Sequence, residues 1–172
     1  MRIAYTMAPG RGDTDLLLFL LTEILASKGV KSCGTVQVNT ECTSGPCDMD
    51  VVVLPDGPTL RISQSLGQAS KGCRLDPSAL ETAVGLVGSR LETGPDLLIV
   101  NKFGKHEADG RGFRTVIADA IALDIPVLVE VNALNLNAFH EFVGPDAKRL
   151  DPEIEAVLDW CDAVMNPKEE LV

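Results

Sequence analysis

The sequence predicts an α/β chain in three layers, a mainly parallel sheet with helices on both faces, and three observations carry that prediction. Segments with the alternation or continuous apolarity of strands take turns with segments of helical period along most of the chain. Two of the strand-like segments, Asp96-Leu-Leu-Ile-Val100 and Pro126-Val-Leu-Val-Glu-Val131, are almost uninterrupted apolar runs, as strands covered on both faces are. The first strand-like segment passes through a Gly-rich turn directly into a helix.

Arg2-Ile-Ala-Tyr-Thr6 reads as the first strand, and Asp15 to Lys28 as a helix with leucines at helical spacing, stopped by Gly29. Val30 to Val38 and Met49-Asp-Val-Val-Val-Leu54 are the next two strands, the second followed by a Pro-Asp-Gly turn. Thr59 to Ser63 alternates like a short, partly exposed strand, and Gln64 to Arg74 has neither period and reads as a loop. Asp76-Pro77 supplies a helix cap with proline at the first helical position, and Leu80, Val84, Val87 and Leu91 form the apolar stripe that follows. Phe113 to Leu123 reads as a helix between the two buried strands, and Asn135 to Phe142 and Asp151 to Val164 as the last two helices. A chain of 172 residues without an internal linker is expected to form one domain, residues 1–172.

Composition narrows the function classes. The formal net charge of −10 disfavours broad binding to nucleic acid or to an anionic membrane. The longest apolar run, Leu16 to Leu21, is far too short for a membrane span, and Met1 leads straight into a strand, so a cytoplasmic protein is expected. Five cysteines are an odd number in a chain too large to need disulfide staples. Cys42 and Cys47 flank a turn-forming Thr-Ser-Gly-Pro, and His106 could join Cys73, but no CxxC pair is present; reduced thiols and no metal site are expected.

Three segments carry candidate chemistry. The first, Met7-Ala8-Pro9-Gly10-Arg11-Gly12-Asp13-Thr14, lies between strand and helix where a phosphate-binding loop, G-x-x-x-x-G-K-[ST], would lie. In that pattern backbone amides surround phosphate, lysine neutralises it and the hydroxyl reaches magnesium. Alignment on Gly12 and Thr14 puts Met7 at the first glycine and Asp13 at the lysine, so an attraction for phosphate becomes a repulsion. Pro9, Gly10, Arg11, Gly12, Asp13 and Thr14 are candidates for nucleotide or anion contact, with Arg11 as a substitute charge.

The second segment follows the buried strand, from Asn101-Lys102-Phe103-Gly104-Lys105-His106-Glu107 to Asp109-Gly110-Arg111-Gly112-Phe113-Arg114. Loops beyond the carboxyl ends of parallel strands are where such sheets bind ligands, which makes Lys102, Lys105 and Arg111 candidates. Glu107 and Asp109 are candidate general bases or magnesium ligands. The third segment, Ile62 to Asp76, offers Gln64, Ser65 and Arg74 as oxyanion donors before a helix N-terminus. Eight basic residues, Arg11, Arg61, Lys71, Arg74, Lys102, Lys105, Arg111 and Arg114, fall in or beside the three segments, and Arg11, Arg74 and Lys102 are expected to converge on one anion cleft.

The strand-loop-helix start, Ser-Gln-x-Leu-Gly, Gly-Cys-Arg-Leu-Asp and above all Asn101-Lys102-Phe103-Gly104 resemble a bacterial family of unknown function. That family is similar to the small nucleoside triphosphatases of the phosphate-loop class and is often encoded beside molybdate-transport genes. The resemblance implies a phosphate-loop NTPase-like fold and a role around molybdenum, but no known reaction, because the relatives' catalytic lysine is replaced by Asp13. The leading expectation is an accessory or sensor protein that binds a small anion, either a nucleotide with Mg2+ or molybdate. An alternative is a nucleoside triphosphatase or transferase with a non-standard loop, in which Arg11 or Lys102 replaces the lysine. Another is a non-catalytic protein-interaction module. A homodimer packed through Trp160 and Val164 is also expected.

Overall fold

The computed structural model describes residues 1–10, 12–40, 47–67 and 74–166. Its elements follow the chain as β1 Ile3–Thr6, α1 Asp13–Ser27, β2 Ser32–Asn39, β3 Met49–Leu54, β4 Thr59–Arg61, α2 Pro77–Leu91, β5 Leu97–Phe103, α3 Lys105–Ala108, α4 Arg114–Ala122 and β6 Val127–Val131. A 3-10 turn at Ala133–Asn135 leads into α5 Leu136–Val143, β7 Lys148–Leu150 and α6 Ile154–Met165. The seven strands form one sheet in the order β4-β3-β2-β5-β6-β1-β7. The β2-β5-β6-β1-β7 part is parallel, and β3 and β4 extend it antiparallel.

Strand alternation sorts the core into two layers. Ile3 and Tyr5 of β1, Leu98 and Val100 of β5, and Val127, Val129 and Val131 of β6 face α2, α4 and α5. Ala4, Leu97, Ile99 and Leu128 face the other way and pack on Leu18, Leu21 and Leu25 of α1 and Val157, Trp160 and Cys161 of α6. The three-layer expectation therefore holds. The central strands are buried on both faces, which is why their sequences lack alternation.

The structure corrects several expectations. β5 runs two residues past Asn101 to Phe103, α3 and β7 were not anticipated, and α1 begins at Asp13. Trp160, 6% exposed, belongs to the core beneath α6 and is not available to anchor a second copy as expected. Cys33 and Cys161 lie buried in opposite layers, and burial pushes both thiols up to about 12, so they behave as small apolar side chains. Cys47 is exposed, while Cys42 and Cys73 lie outside the described residues. No described helix is long and apolar enough to cross a membrane.

Candidate functional site

The carboxyl ends of β1, β5 and β6 open beneath the N-terminus of α1. Gly12, at φ 84°, turns the chain into that helix in a conformation that glycine tolerates best, and it supplies no side chain to cap the first-turn amides. The contrast with α2 is direct: there Asp76 accepts from the amides of Ser78 and Ala79 at 3.0 and 3.2 Å. Asp13, at the lysine position of the motif, folds back over the turn, and a Cβ on Gly10 would overlap its carboxylate oxygen Oδ2. The Asp13 side chain is exposed and does not line the space below the loop.

That space is a cleft of about 230 Å³ lined by Ala8, Pro9, Gly10, Gly12, Thr14, Asp15, Lys102, Glu130 and Asn132. Its far wall depends on a β-bulge. Val100 pairs with Val129 and Phe103 with Val131, so Asn101 and Lys102 of β5 share the span that only Glu130 occupies on β6. Asn101 is buried: its Nδ2 donates to Asp15 Oδ1 at 2.9 Å, and its Oδ1 accepts from the Gln37 amide at 2.7 Å. Asp15 Oδ2 also accepts from Asn39 Nδ2 at 2.7 Å. This network fastens the start of α1 to β2 and β5, and Lys102 becomes part of the cleft wall.

Glu130 is the anomalous member. It follows Leu128 on the α1 and α6 face, is 8% exposed, and its Oε2 is buried without a hydrogen-bond partner among the described residues. Thr6, its register partner on β1, likewise has a buried hydroxyl without a partner. Burial raises the Glu130 carboxyl to about 7, against the opposing pull of Lys102 and with a smaller push from Asp15.

Of the residues singled out from sequence, Pro9, Gly10, Gly12, Thr14 and Lys102 meet at this cleft. Arg11, Lys71 and the segment 68–73 lie outside the described residues. Arg74 does not join Lys102: its guanidinium donates to the Cys47 carbonyl and lies 3.8 Å from Asp48, beside β3 at the far end of the sheet edge. Gln64 spends its side-chain amide on the Leu75 carbonyl, and Ser65 is exposed. Lys105 is exposed on α3. Arg111 lies 3.8 Å from Asp109 and lines a separate groove with Glu81 and His106. Arg61 is held by Asp48 and Asp50, and Arg114 lies 4.3 Å from the centre of the Phe142 ring. The described basic residues gathered in sequence are thus dispersed in space, with Lys102 the described cation of the cleft.

Glu107, a candidate base, is turned inward and accepts from the Gly104 and Phe113 amides at 3.0 and 3.2 Å. That arrangement closes the loop and leaves the carboxylate away from the cleft lining. Asp15, Glu130 and Asn132 escaped the sequence reading. Asp15 follows Thr14 directly in the motif, which was the available signal; Glu130 interrupts an apolar strand, a signal just as plain.

The fold is found in solved proteins. The structure resembles that of THEP1 from the hyperthermophile Aquifex aeolicus, with TM-score 0.65 and 15% identity over 99% of this chain and 100% of that one. It also resembles the solution structure of a human cancer-related nucleoside triphosphatase, with TM-score 0.62 and 17% identity over 95% and 94% of the two chains. These likenesses show a phosphate-loop NTPase-like α/β fold. In sequence the chain is 34% identical over 160 residues to the molybdenum import ATP-binding protein ModC 2 of Bradyrhizobium diazoefficiens. The match takes in 92% of this chain but spans only 18% of that relative. Residues 3–160 match the model of the family described as protein of unknown function (DUF2478), and the chain belongs to that family.

Proposed function

We propose that this protein binds a small oxyanion or nucleotide phosphate in the cleft beneath the Gly10–Thr14 loop, as an accessory or sensor component of molybdenum handling. The observation that carries the reading is an exchange of charge between the two walls. The loop carries Asp13, which sits outside the cleft, at the lysine position of the motif, and the strand end opposite carries Lys102, which lines it. A tetrahedral oxyanion between them would receive uncapped helix amides from one side and an ammonium from the other. The molybdenum part of the reading is supported by the name of the relative from Bradyrhizobium diazoefficiens.

The hydrolase reading fits the cleft less well. The position toward the carboxyl end of β5 that would hold an acidic group for magnesium or water carries Asn101, whose amide is consumed by Asp15 and Gln37. Calorimetric titration of the wild type and Lys102→Ala with molybdate, phosphate and magnesium-ATP tests the proposal. A charge-assisted contact of about 1.5–3 kcal/mol predicts roughly ten- to a hundredfold weaker oxyanion binding in the variant. Magnesium-ATP turnover in the ordinary range of about 1 per second or faster would favour the hydrolase instead.

A further inference from the structure

We infer that Glu130 is itself a ligand-binding group of this cleft, acting as a neutral carboxylic acid that donates a hydrogen bond to a dianionic tetrahedral oxyanion, so that capture of the anion takes up a proton. The inference rests on the oxyanion reading above and adds to it a contact and a regulation.

The geometry makes the case. Glu130 lines the cleft on the same wall as Lys102, because the bulge in β5 places Asn101 and Lys102 across from it. It is more than nine-tenths buried, yet Oε2 has no hydrogen-bond partner among the described residues, an expensive condition for a carboxylate and a tolerable one for an acid. The described groups around it do not supply what an ionised carboxylate requires. β1 contributes Thr6, whose hydroxyl is also without a partner, α1 contributes the like charge of Asp15, and the segment after β6 contributes the uncharged Asn132. Among the described residues Lys102 of β5 supplies the opposing charge, and it does not lie within ion-pair distance of Glu130.

A dianion seated between Lys102 and the α1 amides repels an ionised Glu130 and accepts a hydrogen bond from a protonated one. Burial holds the Glu130 carboxyl up at about 7, so the acid form is within reach at neutral pH. Above that pH the incoming anion must bring one proton from solvent onto Glu130. The charge balance is then one dianion in, one proton in, with no bond made or broken in the ligand.

The test is calorimetric titration with molybdate and with sulfate, both dianions throughout, from about pH 6 to about pH 8.5 in pairs of buffers of different ionisation heat. The wild type is expected to lose affinity approaching tenfold per pH unit above about pH 7, with close to one proton taken up per anion. Glu130→Gln, whose amide donates at every pH, is expected to bind with an affinity independent of pH and without proton uptake. Glu130→Ala is expected to bind weakly at every pH, with circular dichroism confirming the fold of each variant. Binding by the wild type that is indifferent to pH, or that tightens as pH rises, overturns the role of Glu130 and leaves the oxyanion cleft standing. Failure of the wild type to bind any of these anions at any pH overturns both.

Discussion

Glu107 and Glu130 are buried glutamates at the carboxyl edge of neighbouring strands, and their surroundings could hardly differ more. Glu107, 3% exposed, has an amide on each oxygen, from Gly104 on one side and Phe113 on the other. Burial raises its carboxyl above the ordinary range and those amides draw it partly back. Glu130, 8% exposed, has a buried oxygen with no partner among the described residues and a carboxyl raised to about 7. A satisfied buried carboxylate is a structural part that shapes a loop. An unsatisfied one beside a cleft carries a cost to folding, which is what the proposed role of Glu130 in ligand capture accounts for.

The comparison can be broken first at Glu107. Its removal by Glu107→Ala strands two amides in the interior, and a loss of about 2–4 kcal/mol of stability is expected in urea unfolding. A loss below about 1 kcal/mol would mean that the loop does not depend on those bonds.

Glu130 should behave in the opposite sense. Its folded pKa of about 7 lies above the unfolded value near 4.5, so the folded state holds the extra proton and the stability it contributes is lost as pH rises through about 7. Glu130→Gln carries no such penalty. The variant's stability relative to wild type should therefore grow by up to about 3 kcal/mol between pH 4.5 and above pH 7, then level off. A difference that stays flat across that window would place the ordinary carboxylate pKa at Glu130 and dissolve the contrast with Glu107.

A smaller effect sharpens the boundary of the site. Arg74, occupied by the Cys47 carbonyl and Asp48, should change oxyanion affinity by less than about threefold when replaced by alanine, since distant and independent groups couple weakly. A tenfold loss would return Arg74 to the cleft.

Much of this architecture was legible from periodicity. The apolar runs at β5 and β6, the Asp76-Pro77 cap of α2 and the glycine turn before α1 all stand where local physics puts them. β7 was missed because Lys148–Leu150 is three residues long with only Leu150 buried, too short to show a period. The site was half legible. The loop and Lys102 could be found from motif and strand-end position, but the bulge that brings Lys102 alongside Glu130 is a property of register between β5 and β6. The expected convergence of Arg74 failed for a related reason: β3 and β4 join the sheet antiparallel, so the Ser63–Leu75 bridge beside Arg74 lies on the far side of β2 from β1.

The most direct test is diffraction from crystals soaked in tungstate, an electron-dense stand-in for molybdate, at about pH 6.5. The account predicts anomalous density in the cleft, held by amides of the Gly12–Thr14 turn on one side and by Lys102 and Glu130 on the other. Strong density only at other surfaces, or in the Arg111 and His106 groove with this cleft empty, would contradict it.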